Sequence, residues 1–208
     1  MLHTETVEPG TLSVLNRLMK LKELNPFSLV GGTALSLRHG HRTSLDLDLF
    51  CHEKFEPDPV VKALKKEFGN GYSTESKTAR WGIFCYLDNV KVDIVHNPHP
   101  LIGAVETVDS IRMYSDKDTI AMKLNAILGR GRKKDFWDLY ELLHYYSLKD
   151  MIAFHEAKYP DQNLLITIPQ AIIYFNDAEE SEEPHSLKGQ TWESVKKYIQ
   201  HKISDYLR

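Results

Sequence analysis

Cysteine is scarce in this chain of 208 residues: Cys51 and Cys85 stand far apart and in no CxxC spacing. That excludes a disulfide framework, argues against a thiolate zinc site, and points to a reducing compartment. No stretch approaches the roughly 18 consecutive apolar residues of a membrane span, and the opening MLHTETVEPG carries no apolar leader. A soluble, cytoplasmic protein with no membrane partner is the expectation. Neither sign of charge is in large excess, the formal net charge being −3. Bulk attraction to polyanions is therefore excluded, and any nucleic-acid contact has to come from a local basic patch. Internal repeats and long low-complexity stretches are missing too.

What is present is an ordinary globular share of apolar residues, 42%, enough to bury a core without staples. Leu12, Leu15, Leu18 and Met19 are spaced for an amphipathic helix ending near Asn25-Pro26. Phe27 to Val30 reads as a short strand, followed by Gly31-Gly32, a helix from Thr33 to about Arg38, and the polar loop HGHRTS. Leu45 to Phe50 alternates strictly, and Asp58 to Phe68 reads as a helix closed by glycines. Gly82–Leu87 and Val90–Val95, joined by Asp88-Asn89, predict a tight hairpin.

From about residue 116 the pattern is helical, over 118–128, 134–146, 148–159, 168–175 and 192–207. The acidic stretch DAEESEEP (177–184) reads as a surface loop. Strands mixed with helices in the first half and helices alone in the second predict an α+β fold. The division is placed at residue 110, with an α/β core over 1–110 and a helical region over 111–208.

The most informative segment is LDLDLF (45–50). Strand side chains alternate, so Leu45, Leu47 and Leu49 share one face while Asp46 and Asp48 share the other, about 7 Å apart. Two carboxylates that close repel unless something positive sits between them. Mg²⁺ takes oxygen ligands and is commonly held by one or two carboxylates plus substrate phosphates. The plain alternative is a half-exposed strand with a polar face, although Asp is disfavoured in strands. Val90–Val95 repeats the arrangement, and Asp93 becomes a third carboxylate if this strand lies beside the first.

Gly31-Gly32 allows a tight turn and close approach of a phosphate to the backbone, and the helix behind it offers free N–H groups. It is shorter than either common phosphate-loop fingerprint, so an ordinary strand-to-helix turn remains the competing reading. In the loop that follows, Arg42 and Ser44 are candidates to contact phosphate oxygens. Lys123 flanks the apolar stripe of Ile120, Leu124, Ile127 and Leu128. It either reaches an anionic ligand or simply snorkels. Asp135 falls inside the next helix's apolar arc, where a buried carboxylate needs a partner or serves as an N-cap. The surrounding GRGRKKD touches RNA or a nucleotide, or is a solvated turn.

Together GGTALSLRHGHRTSLDLDLF (31–50), VKVDIV (90–95) and KLNAILGRGRKKDFWDLYELL (123–143) resemble the nucleotidyltransferase AbiEii/AbiGii toxin family, a branch of the DNA-polymerase-β-like nucleotidyltransferases. The resemblance covers residues 25–146, with a looser likeness in the tail. It implies a small mixed sheet flanked by helices, plus a helical C-terminal part. It also implies a nucleoside monophosphate moved from an NTP to an acceptor hydroxyl. In that frame Asp46, Asp48 and Asp93 bind Mg²⁺ and carry catalysis, Asp93 activating the attacking hydroxyl. Gly31 and Gly32 cradle the triphosphate, Lys123 steadies it, and Asp135 matches the family's final acidic position. Relatives carry Gly-Ser where this chain has Gly31-Gly32, so Thr33 or Ser44 stands in for the missing hydroxyl. The implied partners are an NTP, tRNA or another RNA as acceptor, and an antitoxin. The competing function is a non-catalytic module that binds nucleotide or a partner and keeps the fold.

Overall fold

The computed structural model describes residues 1–74 and 81–208. Helix α1 (Pro9–Leu18) opens on a proline in its first turn, where the missing N–H is no loss, and buries Val14, Leu15 and Leu18. Strand β1 (Ser28–Val30), buried along its whole length, runs directly into α2 (Gly31–His39). Strand β2 (Leu47–Cys51) follows, then α3 (Pro57–Phe68), β3 (Tyr72–Ser73), β4 (Gly82–Leu87) and β5 (Val90–His96). Asp88 and Asn89 connect β4 to β5 with φ of 47° and 68°, the two left-handed residues that a two-residue hairpin turn requires. A second hairpin, β6 (Glu106–Val108) and β7 (Ile111–Met113), precedes the helices. These are α4 (Asp116–Arg130), α5 (Lys133–Leu142), α6 (Leu148–Lys158), α7 (Ile168–Ala171), α8 (Asn176–Glu179) and α9 (Trp192–Tyr206).

The strands form one mixed sheet in the order β3-β4-β5-β2-β1-β7-β6. Its β2–β5 and β1–β7 pairs are parallel and the other pairs antiparallel. One hydrophobic cluster joins the sheet to α1 and α3, and a second joins the C-terminal helices. Helix α2 belongs to both, giving Ala34 and Leu37 to the first and Leu35 to the second. Among the described residues, no helix is long and apolar enough to cross a membrane.

Several expectations need correction. The strand expected over 45–50 starts at Leu47, and Leu45 is exposed rather than packed on the core. The hairpin β6–β7 carries too few residues to show an alternating pattern. Met113 nevertheless pairs with Leu29, so the division drawn at residue 110 cuts through the turn of a hairpin that belongs to the sheet. Helix α5 ends at Leu142 instead of 146, α7 stops at Ala171, and the start of the acidic stretch is helical in α8.

Candidate active site

Parallel pairing of β2 with β5 puts Asp48 directly opposite Asp93. The apolar residues on either side of them, Leu47, Leu49, Val92 and Ile94, are fully buried on the far face. The alternation that builds the core therefore forces both carboxylates to the same side. Burial first, and then the neighbouring Asp93, push the Asp48 carboxyl up to about 6, with Lys91 pulling the other way. Lys91 Nζ donates to Asp93 Oδ2 at 2.8 Å, while Asp93 Oδ1 is buried with no hydrogen-bond partner among the described residues. Asp46 lies one strand step away, half-exposed, with its Oδ2 3.8 Å from Lys134 Nζ. Among the described residues no three carboxylate, imidazole or thiolate side chains stand around a single point as a finished cation cage. The pair Asp48–Asp93 and the outward-leaning Asp46 are nonetheless a hard-oxygen donor set. The orphaned Asp93 oxygen and the raised Asp48 pKa are what a divalent cation would relieve.

The glycine turn lies against this pair. Gly31 has φ of 71°, and a Cβ there would come 2.7 Å from Asp48 Oδ2, so both backbone and space require glycine. A Cβ on Gly32 would collide with Arg42 Nη2 and lie 3.6 Å from Ser44 Oγ. Arg42 and Ser44 thus occupy the region into which a side chain at position 32 would project. Thr33 Oγ1 bonds the Asp46 carbonyl and lies 2.8 Å from Ser44 Oγ. Its hydroxyl holds the start of the carboxylate segment rather than pointing free into the cleft.

Behind the turn is a buried charge network that the sequence reading missed in part. Asp138, fully buried on α5, accepts from Arg42 Nε at 2.6 Å and Arg42 Nη2 at 2.9 Å. It also lies 2.7 Å from His41 Nε2 and 2.8 Å from Lys123 Nζ. Burial alone would raise the Asp138 carboxyl; Arg42, Lys123 and His41 outweigh it and hold it well below the ordinary range. Lys123 Nζ is shared with Asp135 Oδ1 at 2.8 Å. Burial would lower its pKa, but Asp138 and Asp135 raise it above that of an ordinary lysine.

Lys123 is therefore neither a free phosphate ligand nor a snorkelling surface residue, but a buried cation held by two carboxylates. Asp135 is both a partner and a cap. It occupies the third position of α5, where its Oδ2 accepts from Arg132 N at 3.0 Å. Arg42, expected to face phosphate, instead spends its guanidinium on Asp138 and on the Thr43 carbonyl. Asp138 lies three residues beyond Asp135 on the same apolar arc, so the spacing that singled out Asp135 also marks Asp138.

The carboxylates, the glycine turn, Arg42, Lys123 and Asp135 face one cleft of about 340 Å³, with Asp138 and His41 buried behind it. Its walls include every residue singled out from the sequence: Gly31, Gly32, Thr33, Arg42, Ser44, Asp46, Asp48, Asp93, Lys123 and Asp135. Phe50, Lys91, Thr119, Met122, Ala126, Arg130, Arg132 and Lys134 complete most of the rest.

Residues 13–80 and 84–200 match the family described as nucleotidyl transferase AbiEii toxin, type IV TA system. The chain belongs to this family. An uncharacterized protein of Aquifex aeolicus (strain VF5) is 31% identical to this AbiEii member over 203 residues, 93% of this chain and 94% of that protein. JHP933 from Helicobacter pylori has the same fold at 21% identity, with a TM-score of 0.58 over 95% of this chain and 92% of its own. So does MenT4, a nucleotidyltransferase toxin of Mycobacterium tuberculosis H37Rv, at 12% identity and TM-score 0.58 over 95% of this chain and 86% of its own. The resemblance read from the sequence is thereby borne out, and the AbiEii chain is a nucleotidyltransferase of a toxin family.

Proposed function

We propose that this AbiEii enzyme is Mg²⁺-dependent and moves a nucleoside monophosphate from an NTP to a hydroxyl of RNA, the tRNA 3′ end being the first acceptor to test. The observation that carries this reading is the Asp48–Asp93 pair, in register beside a glycine turn, with one carboxyl pushed up to about 6 and one carboxylate oxygen unpartnered. Asp46, Asp48 and Asp93 would hold the cation. It would supply positive charge to offset that developing on the phosphate in the transition state.

The chain's own residues do the rest. The backbone at Gly31 and Gly32 admits phosphate oxygens closely, and Thr33, Arg42 and Ser44 fix the shape of that cradle. Lys123 and Asp135 tie α4 to α5 behind it and hold the triphosphate cradle in shape. Arg130 and Arg132 line the open end, where departing pyrophosphate gains charge. The acceptor oxygen bonds to the α-phosphorus, the α–β bridging bond breaks, and pyrophosphate leaves. The acceptor proton passes to the Asp93 carboxylate. Lys91 and Lys134, both half-exposed beside the carboxylates, are the cations a phosphodiester strand would meet. An antitoxin is the partner the family implies, and the cytoplasm, where NTPs and RNA are plentiful, is the proposed place of action.

The test is incubation of the protein with Mg²⁺, each labelled NTP and total RNA. Labelled RNA is expected from the wild type and none from Asp46→Ala or Asp48→Ala variants with unchanged circular dichroism. Label retained by these variants would remove the metal assignment. Label found on protein instead of RNA would replace the acceptor.

A further inference from the structure

The cleft is polar at one end and apolar at the other. Strand β2 and the residue just before it lay Asp46, Asp48 and Phe50 along its floor, a run of about 13 Å. Helix α4 lays Thr119, Met122, Lys123, Ala126 and Arg130 along the opposite wall, about 16 Å from end to end. The ends can be matched. Asp46 faces Lys134 at the start of α5, just beyond the C-terminus of α4. At the other end Cys51 O accepts from Asn97 N at 2.8 Å. The same loop then donates Ile102 N and Gly103 N to Asp118 in the first turn of α4, at 3.0 and 2.9 Å. Phe50 therefore lies toward the Thr119 and Met122 end of α4, and Arg130 and Lys134 lie at the Asp46 end.

Every cation lining the cleft belongs to the deep network or to the Asp46 end. Phe50, Met122 and Ala126 provide ring, thioether and methyl surface. The Thr119 hydroxyl is already bonded to the Ser115 carbonyl at 3.1 Å. Among the described residues, no charged side chain lines the Phe50 end.

Resting on the nucleotidyltransferase reading above, we infer that the nucleobase of the NTP occupies this apolar end, stacked on Phe50 and covered by Met122 and Ala126 of α4. The triphosphate then points toward Gly32, Arg130, Arg132 and Lys134. The two ends match the two halves of the ligand: a π-face needs an apolar slot, and a polyanion needs cations and free N–H groups. With the base fixed at Phe50, the α-phosphate falls between the two ends, over Asp48 and Asp93.

The experiment is calorimetric titration of the full chain, in Mg²⁺, with ATP, CTP, GTP, UTP and inorganic tripolyphosphate. Phe50→Ala and, independently, Met122→Ala are expected to weaken the tightest-binding NTP by about 5- to 100-fold. Tripolyphosphate affinity should stay within about twofold, which also reports that the phosphate end is still folded. Equal loss of both ligands, or loss of neither, overturns the base site. A wild-type protein that binds tripolyphosphate but none of the four NTPs overturns it too. If wild type binds neither class of ligand, the nucleotide reading itself falls with it.

Discussion

Asp138 and Arg42, 96 residues apart in the chain, share two hydrogen bonds of 2.6 and 2.9 Å with no solvent contact at the carboxylate. This pair joins the loop after α2 to α5. That loop is held from outside as well, by Thr43 N on the His185 carbonyl and Leu187 N on the His41 carbonyl. Removing one partner of a buried ion pair leaves the other uncompensated, typically at about 3–5 kcal/mol. Asp138→Ala is therefore expected to lower unfolding stability by about that amount, measured by urea denaturation. A loss below about 1 kcal/mol would show that Arg42 and Lys123 find other acceptors.

Asp48 predicts a pH dependence of opposite sign to the usual carboxylate. Its folded pKa of about 6 lies above its ordinary 3.8, so the native state binds the extra proton. The favourable contribution is present below the ordinary value and is lost as pH rises through about 6, a swing on the order of 3 kcal/mol. Relative to wild type, Asp48→Asn should gain stability above pH 6 and show little difference near pH 4. Mg²⁺ should raise the melting temperature of the wild type at pH 7.5 and leave the variant nearly unchanged. An Asn variant less stable than wild type at pH 8 would contradict the raised pKa.

Gly32 is a second point where chain and site are locked together. Its missing side chain leaves room for Arg42 Nη2, and Arg42 cannot swing away without abandoning Asp138. Gly32→Ser is expected to destabilise by about 1–3 kcal/mol through overpacking. It should also weaken NTP binding. Thermal unfolding decides the first point, and an unchanged melting temperature would mean that Arg42 has another home.

Much of this site was legible because its signals are local. The parity of Asp46 and Asp48 against Leu47 and Leu49 needs nothing but strand geometry, and the Asp88-Asn89 turn specifies its own hairpin. Asp93 required a guess about pairing, which parallel β2–β5 register supplies. Three things were hidden. Strands of three residues, as in β6 and β7, are too short for a period to show. Arg42 sits in a segment that reads as a polar surface loop, yet distant residues 185–187 and Asp138 bury it. Asp138 shares the apolar arc that singled out Asp135, but its partners come from residues 41, 42 and 123, all outside its own helix.

A second buried pair offers a cleaner partition between ionic stabilisation and packing. Lys158 and Asp118 are both fully buried, with Lys158 Nζ 2.7 Å from Asp118 Oδ1 and 3.0 Å from the Pro100 carbonyl. Asp118 also accepts from Ser115 Oγ at 2.6 Å and from the Ile102 and Gly103 amides, so its charge has other support when the lysine is lost. Lys158→Met should then cost less than a fully stranded carboxylate, about 2–4 kcal/mol. Asp118→Asn, which leaves a buried ammonium with a carbonyl and an amide oxygen, should cost a similar amount. Because each single change strands part of the same network, the double variant is expected to lose at least about 1 kcal/mol less than the two losses added. Full additivity in chemical denaturation would mean that the contact is not a coupled pair, and that α6 is held to α4 by Met151 and its apolar neighbours alone.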